Sequence, residues 1–219
     1  MTLSVMVYVE GQSDVKGMEA LLRPLLDQKA EQGVKINFYE APPGDKKASL
    51  MTKTPANAVK ILKNNPYAHV VIMPDLYPLK KALPHETAQQ LKAVIRDQFT
   101  QALKREGLAD DQRFHERFAV FCFKYDLEAL VLSALQPLAL RLGVKAIQPT
   151  WRLPVEDQNN DTPPKKVVEA LFKKHHTHYR ETVDAVGIMG GVSDYRTLAQ
   201  ACPQEFAPFV MYLEGLSAG

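Results

Sequence analysis

The sequence predicts an α/β protein: a mainly parallel central sheet flanked by helices over residues 1–142, with a helical C-terminal subdomain over residues 143–219 packed on it as one compact unit. Three observations lead there. Short apolar runs recur at residues 5–9, 34–39, 69–73 and 118–123, the first of them rich in β-branched residues, each the length of a strand rather than a helix. Helical periodicity fills the intervals, and strands alternating with helices form parallel sheets joined by right-handed crossovers. Beyond residue 143 the pattern is a polar loop and then helices. With 219 residues, 46 % of them hydrophobic, the chain can bury a full core.

The first strand, VMVYV at residues 5–9, shows no clean polar alternation, the mark of a strand covered on both faces. Gly11 bounds it, and Ser13 or Asp14 offers a cap to the next helix. That helix places Met18, Leu21, Leu22, Leu25 and Leu26 on a helical period, carries Pro24 as a kink, and stops near Gly33. After the second strand at 34–39, a loop at 42–53 rich in Pro, Gly and Lys leads to a helix at 56–62 and the strand HVVIM at 69–73. An amphipathic helix is expected over 86–105, a fourth strand at 118–123 (FAVFCF), and one largely buried helix over 126–142. A polar loop at 156–162, the one candidate linker, precedes two or three further helices.

Acids follow three of these strands. Glu10 follows the first, Asp75 follows VVIMP, and Asp126 with Glu128 follow the fourth. In an open parallel sheet the carboxyl ends of the strands share the edge where ligands bind, so these acids should converge although they are far apart in sequence. Carboxylates gathered there raise one another's pKa values unless a cation sits between them. Oxygen ligands without cysteine or histidine favour Mg²⁺ or Mn²⁺ over zinc, and such ions work on phosphate esters. The plainer reading is that an acid after a strand caps a helix, which suits Asp14 and Asp126, or makes a turn, which suits Asp75. Glu10 resists it, because Ser13 or Asp14 already supplies the cap and Gly11 lets a ligand approach the backbone.

Lysine and arginine number 27 against 25 acids, a formal charge of +2, so any basic groove must be local. Candidates for phosphate contact are Lys46 and Lys47 in the early loop, Lys165 and Lys166, Lys173 and Lys174, and Arg180. The run HHTH at 175–178 lacks metal-ligand spacing, the glycine pair at 190–191 reads as a turn, and Trp151 as packing. Cys122 and Cys202 form no disulfide framework. No apolar run reaches the ~20 residues of a membrane span, and a cytoplasmic protein without a membrane partner is expected.

At VEGQSD (9–14) and DLY (75–77) the chain resembles the Toprim group of topoisomerases, primases and overcoming-lysogenization-defect nucleases. In that group one strand ends in Glu-Gly and another in Asp-x-Asp; Tyr77 stands where the second aspartate is usual. A closer resemblance, over nearly the whole chain, is to the bacterial Toprim-like family of unknown function DUF4276, in which Asp-x-Tyr is usual. That family's His-Glu-Phe-Glu-Ala-Leu-Leu stretch is matched by YDLEALV at 125–131, with Tyr125 in place of the histidine. Its Pro-Ser-Lys, Tyr-(Arg/Lys)-Lys and Cys-Pro-x-Phe stretches are matched by PPKK at 163–166, YRET at 179–182 and CPQEF at 202–206.

The resemblance implies a Toprim-like fold and a Mg²⁺- or Mn²⁺-dependent phosphodiester nuclease. Glu10 would act as general base or metal ligand, Asp75 as principal ligand, and Asp126 and Glu128 as further ligands. Lys165, Lys166 and Arg180 would hold nucleic acid, DNA by the resemblance, with Gly11, Ser13, Asp14, Tyr77 and Tyr179 in support. It also implies an ABC-type ATPase partner in a prokaryotic anti-phage defence system. Two alternatives stand beside it: a degenerate module that binds nucleic acid or an ATPase without cleavage, and an enzyme acting on a small phosphoester.

Overall fold

The computed structural model describes residues 2–158 and 161–218. Four strands, β1 (Leu3–Val9), β2 (Val34–Glu40), β3 (Ala68–Ile72) and β4 (Phe118–Val120), form one all-parallel sheet in the order β2-β1-β3-β4. In register, Leu3 faces Val34, Ser4 faces Ala68 and Val70 faces Phe118. The α/β expectation therefore holds.

Alternation along the strands builds two cores. Val5, Val7 and Val9 of β1 and Val71 of β3, with Met73 just beyond it, enter one; Val70 and Ile72 enter the other. The first core is covered by α1 (Gln12–Glu31), α5 (Glu128–Ser133), α6 (Leu135–Arg141), α7 (Pro164–Lys174), α8 (Glu181–Gly190), α9 (Tyr195–Ala201) and α10 (Phe206–Gly215). The second is covered by α2 (Lys46–Asn64) and α3 (Ala88–Arg105), with the short α4 (Gln112–Glu116) at its margin. Each fully buried aliphatic side chain contributes ~1.5–3 kcal/mol, so the sheet is held from both faces. Among the described residues no helix is long and apolar enough to cross a membrane.

Several boundaries differ from expectation. Much of the anticipated loop at 42–53 is helix: α2 begins at Lys46, because Asp45 caps it by accepting the Ala48 N–H at 3.0 Å. Pro55 lies inside it, where it resembles a helix start in sequence. The single helix expected over 126–142 is two, broken at Ala134 (φ −83°, ψ 58°), since Pro137 is tolerated in the first turn of a new helix better than mid-helix. Strand β4 is shorter than its apolar run, although Phe123 returns to bridge Asp75. Gly11, and neither Ser13 nor Asp14, is the N-cap of α1; Asp14 reaches back from the first turn to take the Gly11 N–H at 2.8 Å.

Among the described residues four helices, not two or three, follow the polar loop. Residues 159 and 160 of that loop lie outside the described residues. Its start is not a linker: Val155 and Glu156 are buried in a 3₁₀ turn (Val155–Asp157). The Glu156 carboxylate accepts the N–H groups of Gln204 (2.6 Å), Glu205 (2.9 Å) and Phe206 (3.2 Å), capping α10 from a distant segment. Asp184 of α8, fully buried, accepts from Arg141 Nε at 2.8 Å and so ties α8 to α6.

Candidate functional site

The sheet order places a topological switch point between β1 and β3. The chain leaves β1 toward β2 on one side and returns to β3 on the other, opening a crevice at the strands' carboxyl ends. Glu10 and Asp75 flank it. The β1–β3 ladder runs as far as Met73 N–H donating to the Tyr8 carbonyl at 2.9 Å. Pro74 has no N–H, and the next donor, Asp75 N–H, goes to Glu10 Oε1 at 3.1 Å rather than to backbone. A carboxylate thus ends the ladder.

The other flank fixes Asp75 further. Phe123 N–H donates to the Pro74 carbonyl, Leu76 N–H to the Phe123 carbonyl, and Tyr77 N–H to the Tyr125 carbonyl, at 2.9, 2.9 and 2.8 Å. Lys47, 1 % exposed, donates to the carbonyls of Leu76 (3.0 Å) and Pro78 (2.9 Å). The expectation that Lys47 serves phosphate from a loop is corrected: it is a helical residue buried under the Asp75 segment. Lys46 is exposed and pairs with Glu40 at 3.0 Å.

Helices α5, α7 and α8 bring a second group to the same edge. Asp126 and Glu128, both buried, stand at the start of α5. Asp126 Oδ2 accepts the Lys165 backbone N–H at 3.3 Å, and Glu128 Oε1 accepts the Tyr179 phenol at 3.1 Å. The Lys165 ammonium bonds Glu181 and stands 3.9 Å from Glu128. Ser13 donates to the other Glu181 oxygen, so α1, α7 and α8 meet there. Lys166 and the Arg180 side chain are exposed. The backbone N–H of Arg180 donates to Asp184.

The two groups share one electrostatic environment. Burial, then the charges of Glu10, Asp14, Asp126 and Glu128, holds the Asp75 carboxyl well above the usual range. Burial pushes Glu10 up to about 7 against the pull of Lys47 and the Asp75 N–H. Asp14 is pushed to about 7 by burial, with Glu181 and Glu10 opposing its charge. Burial and neighbouring Glu128 raise Asp126 to about 8, and burial raises Glu128 to about 7 despite Lys165. Glu181 goes the other way: burial pushes it up, but the hydrogen bonds from Lys165 and Ser13 outweigh burial and hold it low. Burial would lower Lys165, yet Glu181 and Glu128 raise it.

Two buried oxygens in this crevice, Asp75 Oδ1 and Asp126 Oδ1, have no hydrogen-bond partner among the described residues. Orphaned carboxyl oxygens, raised carboxyls and an all-oxygen donor set fit a hard divalent cation. The side chains are not drawn into a ready-made cage, however: among the described residues no three His, Cys, Asp or Glu stand at metal-ligand spacing. A cation would have to pull them inward. A cleft of about 700 Å³ lies away from the carboxylates, lined by residues of α6, α8 and α9 such as Leu140, Gly187 and Thr197.

All the acids singled out from sequence thus reach one edge of the sheet. The backbone at Gly11 takes φ −136°, open to any residue, and a side chain there would meet only ordinary contacts. Glu181 and the buried role of Lys47 were missed. Glu181 lies two residues beyond Tyr179, but an acid opening a helix reads in sequence as a simple first-turn charge.

No curated protein and no solved structure matches this chain. The family model for a domain of unknown function, DUF4276, matches residues 9–214, taking in Glu10, Asp75, Asp126, Glu128, Lys165 and Glu181. With nearly its whole length so matched, the chain belongs to the DUF4276 family.

Proposed function

We propose that this chain is a divalent-metal-dependent phosphodiester nuclease acting on nucleic acid at the β1–β3 crevice. The observation that carries the reading is the buried acid cluster at the switch point, with unpartnered oxygens on Asp75 and Asp126. Such a group is costly to hold without a cation, and oxygen-only donors select Mg²⁺ or Mn²⁺. Glu10, Asp75 and Asp126 would hold the ion, which when bound would supply charge neutralisation at a phosphate and an activated water.

The chain's own residues support the rest of the chemistry. The tie of Glu10 Oε1 to the Asp75 N–H fixes the direction of the carboxylate that would hold the ion or take a proton from water. Tyr179 and Lys165 both hold Glu128 at its Oε1. Exposed Lys166 and Arg180 flank the crevice in sequence and would meet the phosphate backbone. The Toprim likeness of VEGQSD and DLY favours the same reading, and with it an ABC-type ATPase partner in defence against phage.

A specific observation favours a second reading. Without three acids at ligand spacing, and with Tyr77 where an aspartate is usual, the chain would bind nucleic acid or an ATPase and cut nothing. Supercoiled plasmid incubated with Mg²⁺ or Mn²⁺ separates the two. The nuclease reading expects nicking that EDTA and Glu10→Gln both abolish. Intact plasmid in every metal, with a mobility shift that survives EDTA, would establish the binding module instead.

A further inference from the structure

The two halves of the carboxylate edge are neutralised differently. On one side, Lys165 touches three acids: its ammonium bonds Glu181 and lies 3.9 Å from Glu128, and its backbone N–H holds Asp126 Oδ2 at 3.3 Å. Tyr179 and Ser13 complete that network, on Glu128 and Glu181 respectively. On the other side, Lys47 donates to the carbonyls of Leu76 and Pro78, and no ammonium is paired with Glu10 or Asp75 among the described residues. The orphaned oxygens belong to Asp75 and to the free edge of Asp126.

A divalent ion placed among Asp126, Glu128 and Glu181 would have to displace an ammonium already bonded there. One placed toward Glu10 and Asp75 displaces no bonded ammonium. We propose that Lys165 is a resident cation that fills the second position of the crevice and limits the site to a single divalent ion, held by Glu10, Asp75 and the free Asp126 oxygen. This rests on the metal-dependent reading above and goes beyond it in fixing the number of ions and giving Lys165 a role other than gripping nucleic acid. Glu181 then acts as the anchor that keeps the ammonium in place, a positioning residue rather than a ligand.

The test counts ions and needs no turnover. Mn²⁺ binding to the full chain is read by loss of the free-ion paramagnetic resonance signal and by calorimetry, with folding checked by circular dichroism. The wild-type chain should bind one Mn²⁺, Lys165→Arg one, and Lys165→Gln two. Asp75→Asn should lose the ion while Glu128→Gln keeps it, which locates the site even where Lys165→Gln does not fold. Two ions in the wild-type chain, one in folded Lys165→Gln, or loss of the ion in Glu128→Gln with retention in Asp75→Asn would each overturn the proposal and leave the nuclease reading standing. No Mn²⁺ bound to any form would overturn both.

Discussion

Asp75→Asn should stabilise the metal-free protein while removing its metal response. Asp75 sits among four other acids with one oxygen buried and unpartnered, and burial holds its carboxyl well above the ordinary range. Leaving a buried polar group unsatisfied costs about 1–3 kcal/mol, more when it is charged. Asparagine keeps the shape, is neutral in the folded and unfolded chain alike and so needs no proton taken up on folding, and adds a donor facing acids. A gain of about 1–3 kcal/mol is expected at neutral pH without metal, and at about 2–4 °C per kcal/mol for a chain of this size, Tm should rise roughly 2–12 °C.

The pH dependence supplies the sharper check. Because the folded carboxyl is raised, the native state keeps a proton that the unfolded chain has lost, so stability is full below the unfolded pKa and falls as pH climbs toward the folded one. Glu10, Asp14 and Glu128 at about 7 and Asp126 at about 8 add slope of the same sign. One such proton changes stability by at most ~1.4 kcal/mol per pH unit. The advantage of Asp75→Asn should therefore be small near pH 4 and grow toward pH 8, in circular-dichroism melts run with EDTA. Added Mn²⁺ should raise the wild-type Tm and leave the variant unmoved. A variant that melts below wild type near pH 8, or an offset independent of pH, would refute the argument.

Lys47→Met leaves the Leu76 and Pro78 carbonyls without their donor and should lower stability by about 1–3 kcal/mol in urea titrations. It should also push the Glu10 carboxyl above about 7, since Lys47 now pulls it down, visible as a shifted side-chain titration by NMR. Tyr179→Phe keeps the ring packed against Phe172 but removes the donor to Glu128, so the fold should survive while the Glu128 titration moves above about 7. Glu156→Gln weakens the cap on α10 and should cost about 1–2 kcal/mol by the same urea assay.

The sheet was legible because its strands are buried on both faces, so β1 and β3 read as continuous apolar runs whichever core each residue enters. From strand order alone, parallel topology carries Glu10, Asp75 and Asp126 to a common edge, although a cap reading at Asp126 and a turn reading at Asp75 compete locally with that inference. Helix starts were harder. Pro55 inside α2 mimics a first-turn proline, and the true cap, Asp45, lies in a stretch whose Pro and Gly read as loop. Long-range polar contacts left no trace at all: Ser13 with Glu181 and Glu156 with the start of α10 join segments whose separation in sequence carries no periodicity.

The sheet edge by itself supplies only acids. Countercharge comes from two helices on opposite faces, Lys47 from α2 and Lys165 from α7, and the two lysines do unlike work. Lys47 holds the Asp75 segment by its carbonyls and moderates Glu10 only through space. Lys165 is bonded into its acids, and Glu181 in turn is held low enough to stay charged and keep it there. Among the described residues the carboxyls without a bonded ammonium are therefore on the Glu10 and Asp75 side. That is the side where the ladder ends in a carboxyl group and the backbone is fixed on both flanks, so a cation entering as proposed would meet the rigid half of the crevice and not the half already closed by a lysine.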